Sequence, residues 1–290
     1  MTPARGAYAA ACAATLFWGI NYSVAKRVLA EVDPFAVAFV RAVGAGLLFA
    51  FVLLALRGFS GLSPGRAARG AALGLLGIFG NQLLFIDGLK HTSAAHSAIV
   101  VALTPIFVLV LSALAGQERI TLPKSAGILI AFFGVGLVAL EKGLDFRSEY
   151  LRGDVLTLLA VLAFSAYTVA GKPVLRELGP VRTTALAFVA GSAAIVLVTL
   201  PRAARQEWRA VSLPALAGLA YMVVPATILA YLLYYYALAR IDPSRLAVFT
   251  YLQPVIAALI AFGVAGEPAS GIVLTGGAVV LGGVLLAERA

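Results

Sequence analysis

Apolar residues run through this chain in ten stretches separated by short polar turns. They fall at about 7–29, 34–56, 68–89, 93–115, 122–140, 153–173, 181–200, 213–238, 243–265 and 269–287. An α-helix needs roughly 20 apolar residues to cross the hydrocarbon core of a bilayer, and each stretch is near that length. The pattern also repeats. Thr104-Pro105 stands 149 residues before Gln253-Pro254, and the same offset relates Glu118 to Glu267, Gly127 to Gly276 and Gly134 to Gly283. It also runs through Phe85 and Tyr234. Five spans per half is an odd number, so the second copy enters the membrane from the opposite side. The expected fold is all-α and integral to the membrane. Ten transmembrane helices form two inverted-topology five-helix repeats, residues 1–141 and 142–290. Such repeats are a hallmark of transporters that alternate access around a central site.

Composition supports the membrane class. The 290 residues are 62% hydrophobic and 12% charged, with a mean hydropathy of +0.99, whereas soluble domains carry about 25% charge. The longest connections leave no room for a catalytic domain outside the bilayer. A net charge of +9 would suggest nucleic acid in a soluble protein. Here Lys and Arg are scattered through short loops, which fits anionic headgroups and topology signals instead. Cys12 is the single cysteine, so there is no internal disulfide. The apolar run after Arg5 is long and opens a series of similar spans, so it reads as an uncleaved first helix rather than a signal peptide. With the N-terminus inside, the inner segments hold twelve Lys and Arg and the outer segments nine. That bias places both termini in the cytoplasm.

Phe17-Trp18-Gly19-Ile20-Asn21 resembles the first-helix signature of the drug/metabolite transporter superfamily, EamA type. Pro105…Gly116-Gln117-Glu118-Arg119…Gly127…Gly134 and its copy Pro254…Gly266-Glu267-Pro268…Gly276…Gly283 resemble that family too, with Ala265 where the first copy has Gly116. The resemblance covers residues 7–287. It implies a ten-helix basket around a cavity lined by spans 1, 3, 4, 6, 8 and 9, with spans 5 and 10 as scaffold. It also implies a bacterial-type inner membrane protein that exports amino acids, most like the aromatic and neutral amino-acid exporters.

Polar residues deep in a span are costly and default to functional candidates. Trp18 and Asn21 lie two-thirds along the first span, where the amide can bond a substrate and the indole can stack on it. Asn21 and Tyr22 could instead sit in the interfacial belt. Asn81, beside Gln82 in the third span, faces either the cavity or a neighbouring helix, with Phe85 a turn beyond. Thr104, Pro105, Gln253 and Pro254 break the hydrogen-bond ladder at equivalent depths. A proline frees the carbonyl four residues earlier, so Val101 and Thr250 become candidate acceptors and these positions candidate hinges or gates. Tyr231 and Tyr234 share a face of span 8 with Tyr235, either as a tyrosine wall for substrate or as part of an aromatic belt. Tyr167 in span 6 is the counterpart of the Trp18 region. Arg41 is the one basic residue well inside a span, placed either to bind a substrate carboxylate or to snorkel to the interface. His96 opens span 4 as a gate or a polar cap. Glu118 and Glu267, at the ends of spans 4 and 9, read as structural.

No Asp or Glu lies near the middle of any span, so substrate is expected to move down its own gradient. Lipophilic drugs and other metabolites, with or without proton coupling, are the alternative cargo. Enzyme motifs fail in context. Gly61-Leu62-Ser63-Pro64-Gly65 lies in a loop, not between a strand and a helix. Gly134-Val135-Gly136-Leu137-Val138-Ala139 is buried in an apolar helix. With only His91 and His96, no paired carboxylates and no cysteine cluster, no metal, cofactor or catalytic residue is expected. The expected partners are a small-molecule substrate, amino acids, and the lipid bilayer, without nucleic acid. Two fused halves suit a functional monomer.

Overall fold

Helix starts follow from short polar caps and prolines. Asp33 precedes Pro34, and its carboxylate accepts the Phe35 N–H at 2.8 Å. Ser63 and Ser212 cap the helices that follow them through their hydroxyls. Proline at a first helical position costs nothing, because its missing N–H would have had no partner there. The computed structural model describes residues 3–58, 60–92, 94–141, 150–265 and 271–289. Among these residues the fold is helical without strands. The helices are α1 (Pro3–Val28), α2 (Pro34–Ala55), α3 (Pro64–Leu73), α4 (Asn81–His91), α5 (Ala94–Val101), α6 (Thr104–Leu114) and α7 (Leu122–Glu141). They continue with α8 (Leu151–Ala203), α9 (Leu213–Val223), α10 (Ala230–Leu238), α11 (Pro243–Val248), α12 (Leu252–Ala265) and α13 (Gly271–Arg289).

The expected spans map onto these elements with three kinds of irregularity. First, spans 6 and 7 are the two helical arms of α8, separated by a kink at Gly179, where the backbone leaves helical geometry with φ at +74°. Glycine tolerates that left-handed conformation, and Pro180 then fixes the start of the returning arm. Second, a π segment, Gly74–Gly80, joins α3 to α4, and a second, Val224–Leu229, joins α9 to α10. The two are about 149 residues apart, so the repeat includes an irregularity of the backbone itself. Third, spans 4 and 9 break just upstream of the expected prolines, at residues 102–103 and at a 3₁₀ turn, Phe249–Tyr251. Thr104 and Pro105 are the first residues of α6. The Val101 carbonyl is not a free acceptor, because the Thr104 hydroxyl donates to it at 2.6 Å. Among the described residues, six segments are long and apolar enough to cross a membrane, from Pro34–Ala55 to Gly271–Arg289. Leu47, Phe51 and Leu54 on α2 and Phe133 on α7 are exposed, as a lipid-facing surface requires.

The inverted relation of the halves is visible where α7 crosses α13. A Cβ on Gly127 would lie 2.7 Å from the Gly283 carbonyl oxygen, and one on Gly134 would lie 2.9 Å from that of Gly276. Gly127 corresponds to Gly276 and Gly134 to Gly283, so each glycine faces the counterpart of the other. The residue numbers rise along one helix as they fall along the other, so the pair is antiparallel. A two-fold relation between antiparallel spans has its axis in the membrane plane, the geometry of inverted-topology repeats. Small residues let the two backbones meet where lipid supplies no hydrophobic drive. The larger core lies on the other side, where α2 and the α3–α4 rod pack along α8, and α1 packs against α10 and α12. The expected boundary between halves, 141/142, opens onto residues 142–149, outside the described residues.

Candidate functional site

Trp18 of α1 and Tyr167 of α8 stand 149 residues apart, and the fold brings both into one aromatic cluster. The Trp18 ring lies 5.5 Å from Tyr231, 5.4 Å from Tyr234 and 6.3 Å from Phe164. Tyr167 stacks on Tyr235 at 4.9 Å and lies 6.5 Å from Tyr231. Phe188 meets Tyr231 edge-on at 5.0 Å. Tyr167, Tyr231, Tyr234 and Tyr235 are buried, so these tyrosines form an interior wall and not an interfacial belt. The wall has polar fixings: the Tyr234 and Thr168 hydroxyls bond at 3.1 Å, and Tyr235 donates to the Tyr167 carbonyl at 3.5 Å.

The second π segment supplies the polar side. Trp18 Nε1 donates to the Ala226 carbonyl at 3.0 Å, and Arg41 Nε donates to Thr227 Oγ1 at 3.0 Å. Neighbouring residues of one segment therefore hold an indole from α1 and a guanidinium from α2. Arg41 points into the bundle and is held there, so it does not snorkel. Asn21 is one turn beyond Trp18, and its Oδ1 is buried without a protein partner. From Ile20 to Arg27 no residue of α1 is fully buried, so this stretch keeps some accessible surface, although Val24 and Ala25 pack on a neighbouring core cluster. Tyr22 within it is 45% exposed. Trp18, Asn21 and Arg41, the tyrosine wall and this open stretch of α1 belong to one region.

Other candidates fall elsewhere. Asn81 Nδ2 donates to the Ala160 carbonyl at 2.9 Å, tying α4 to α8. Neighbouring Gln82 is buried with Oε1 unpartnered. Phe85 is half-buried on α4 and makes no ring contact with the cluster among the described residues. The backbone of His96 belongs to α5, but its side chain lies outside the described residues. Gln253 is buried beside Pro254 at the start of α12.

Glu118 is a tie between hairpins. Its carboxylate pairs with Lys124 at 2.8 Å and accepts the N–H of Ser244 at 2.9 Å and that residue's hydroxyl. The cap residue Asp242 makes no side-chain hydrogen bond to the first backbone N–H groups of α11, and Glu118 accepts the Ser244 N–H from another hairpin. Burial pushes the Glu118 carboxyl up, but bonds from Lys124 and Ser244 more than offset it and hold it below its ordinary value. Glu267 lies outside the described residues.

Phe164, Phe188, Ala226 and Thr227 complete the region without having been singled out from sequence. Phe164 had a signal, since it lies three residues before Tyr167 on the same helix face. Ala226 and Thr227 had none, because their part depends on a π segment that apolar patterning does not reveal.

A multi-pass integral membrane protein built from inverted repeats, with aromatic and cationic side chains converging inside, belongs to the class of membrane transporters. The EamA-like transporter family model matches residues 5–140 and 151–288, and the chain belongs to that family. The uncharacterized inner membrane transporter YedA of Escherichia coli K12 is 31% identical over 261 residues, 88% of this chain and 81% of that protein. A probable terminal-alkyne amino-acid exporter of Streptantibioticus cattleyicolor is 27% identical over 219 residues, 76% of this chain and 72% of that one. A crystal structure at 21% identity superposes with a TM-score of 0.81, over 98% of this chain and 96% of that one, which shows the shared fold. The family is one of transporters, not enzymes.

Proposed function

We propose that the protein exports amino acids, aromatic, neutral and related ones, by alternating access around the Trp18–Tyr231–Tyr234 cluster. The observation that carries this reading is the convergence of repeat-equivalent aromatic residues, Trp18 and Tyr167, on one buried wall beside an accessible stretch of α1. Ring faces suit an aromatic or aliphatic side chain, and the unpartnered Asn21 oxygen suits an ammonium group. The similarity to a probable amino-acid exporter points the same way. The broken helices α5–α6 and α11–α12, with Thr104, Pro105 and Pro254 at the breaks, are the hinges. Both termini are cytoplasmic by the distribution of basic residues, and the protein acts as a monomer. With no carboxylate at mid-span, transport is facilitative.

The test is counterflow in proteoliposomes loaded with unlabelled phenylalanine. Labelled phenylalanine is expected to accumulate transiently with wild type, and not with Trp18→Ala or Tyr234→Ala of unchanged folding. Flux that fails to saturate would make the protein a channel. Clear stimulation by an imposed pH gradient would sink the facilitative mechanism.

A further inference from the structure

Arg41 begins the third turn of α2, about 10 Å from the helix start at 1.5 Å per residue. A guanidinium at that depth is costly unless something pairs with it. Among the described residues Arg41 makes no ion pair, and its single hydrogen bond runs from Nε to Thr227. Thr227 is fully buried, and its own proton is committed to the Met222 carbonyl at 2.7 Å. Its lone pair is therefore what faces Arg41, which fixes one edge of the guanidinium. Nη1 and Nη2 are left without a protein acceptor. Those two nitrogens present parallel N–H donors at the spacing of a carboxylate's two oxygens. Tyr231 feels the charge of Arg41 and lies 5.5 Å from Trp18, so the guanidinium stands near the aromatic cluster.

We propose that Arg41, held by Thr227 of the second π segment, is the specificity residue that takes the substrate's carboxylate in a bidentate pair. The ligand class is a small carboxylate with an apolar group a few bonds away. This rests on the export reading above, and adds that amines and amides of the same size are rejected. An amide offers one acceptor oxygen and no charge, and an amine offers neither, so either leaves the guanidinium unpaired.

The chain has two tryptophans, Trp18 and Trp208, so Trp208→Phe leaves Trp18 as a single fluorescent reporter beside the site. In that background, phenylalanine and 3-phenylpropionate should shift Trp18 emission saturably. Phenylalaninamide and phenethylamine should require concentrations about tenfold higher or more, as loss of a charge-assisted bidentate pair implies. Arg41→Gln should erase the difference between acid and amide, while Arg41→Lys should keep part of it and Thr227→Val should weaken it. Arg41→Gln with the wild-type preference intact, or Trp18 blind to both carboxylates in folded protein, would overturn the proposal. Arg41-dependent carboxylate binding without counterflow would instead count against the export reading and leave the recognition site standing.

Discussion

The two rods that contain π segments occupy equivalent places in the repeats and are built from different chemistry. In the first, Gly74–Gly80, glycine lets the rod press on α8: a Cβ on Gly74 would stand 1.9 Å from the Ala187 carbonyl oxygen. In the second, Val224–Leu229, Pro225 removes an N–H and Thr227 bonds back to Met222. The anchors at the rod bases differ as well. Glu177 pairs with Arg69 through two 2.8 Å bonds at the base of the first. Its counterpart Glu31, likewise three residues before a proline, accepts the Ser212 N–H and hydroxyl at the base of the second. Duplication preserved where the backbone departs from α geometry and let the side chains diverge. The first rod became a packing surface, and the second holds Trp18 and Arg41.

The hardest way to break the comparison is steric. Gly74→Leu should forfeit folded protein, beyond the roughly 1–3 kcal/mol typical of overpacking, because the clash is with the Ala187 backbone. Gly136→Leu, whose Cβ meets open space, should melt like wild type in detergent. The next largest effect is expected at Glu118, which ties α11 to Lys124 of α7. Glu118→Ala leaves buried Lys124 unpaired and should cost about 3 kcal/mol, read as a fall in melting temperature. Because the Glu118 carboxyl is depressed, its contribution is complete above the ordinary carboxylate range. It is lost as pH falls through the depressed value, and Glu118→Gln should flatten that acid loss. Thr227→Val should cost only about 1 kcal/mol of stability, yet impair phenylalanine counterflow; an equal loss of stability and of transport would mean Thr227 is purely structural. Glu177→Gln should have the smallest effect, since its ion pair is exposed and salt weakens such pairs. A melting temperature of wild type that does not respond to salt at this anchor would agree with Glu177→Gln being silent.

The 149-residue offset made the fold legible. Gly127, Gly134, Gly276 and Gly283, four small residues in an apolar chain, marked the α7–α13 crossing that carries the inverted relation. Trp18, Tyr167, Tyr231 and Tyr234 were legible as candidates because a large amphipathic ring in a span needs either an interface or a pocket. What apolar patterning cannot show is backbone register within a span. A π segment leaves the apolar run intact, so the link from Arg41 to Thr227 stayed hidden. Asn81 shows a second limit: an amide at depth reads the same whether it binds cargo or, as here, the carbonyl of Ala160 on the next helix.

The claim that the aromatic wall is where substrate sits is tested most directly by photolabelling. Reconstituted protein is irradiated with a diazirine analogue of phenylalanine, and adducts that excess phenylalanine competes away are mapped by mass spectrometry. They are expected within residues 17–22, 164–168 and 227–235. Competed adducts confined to the α7–α13 pair, with none on Trp18 or the tyrosine wall, would contradict the account.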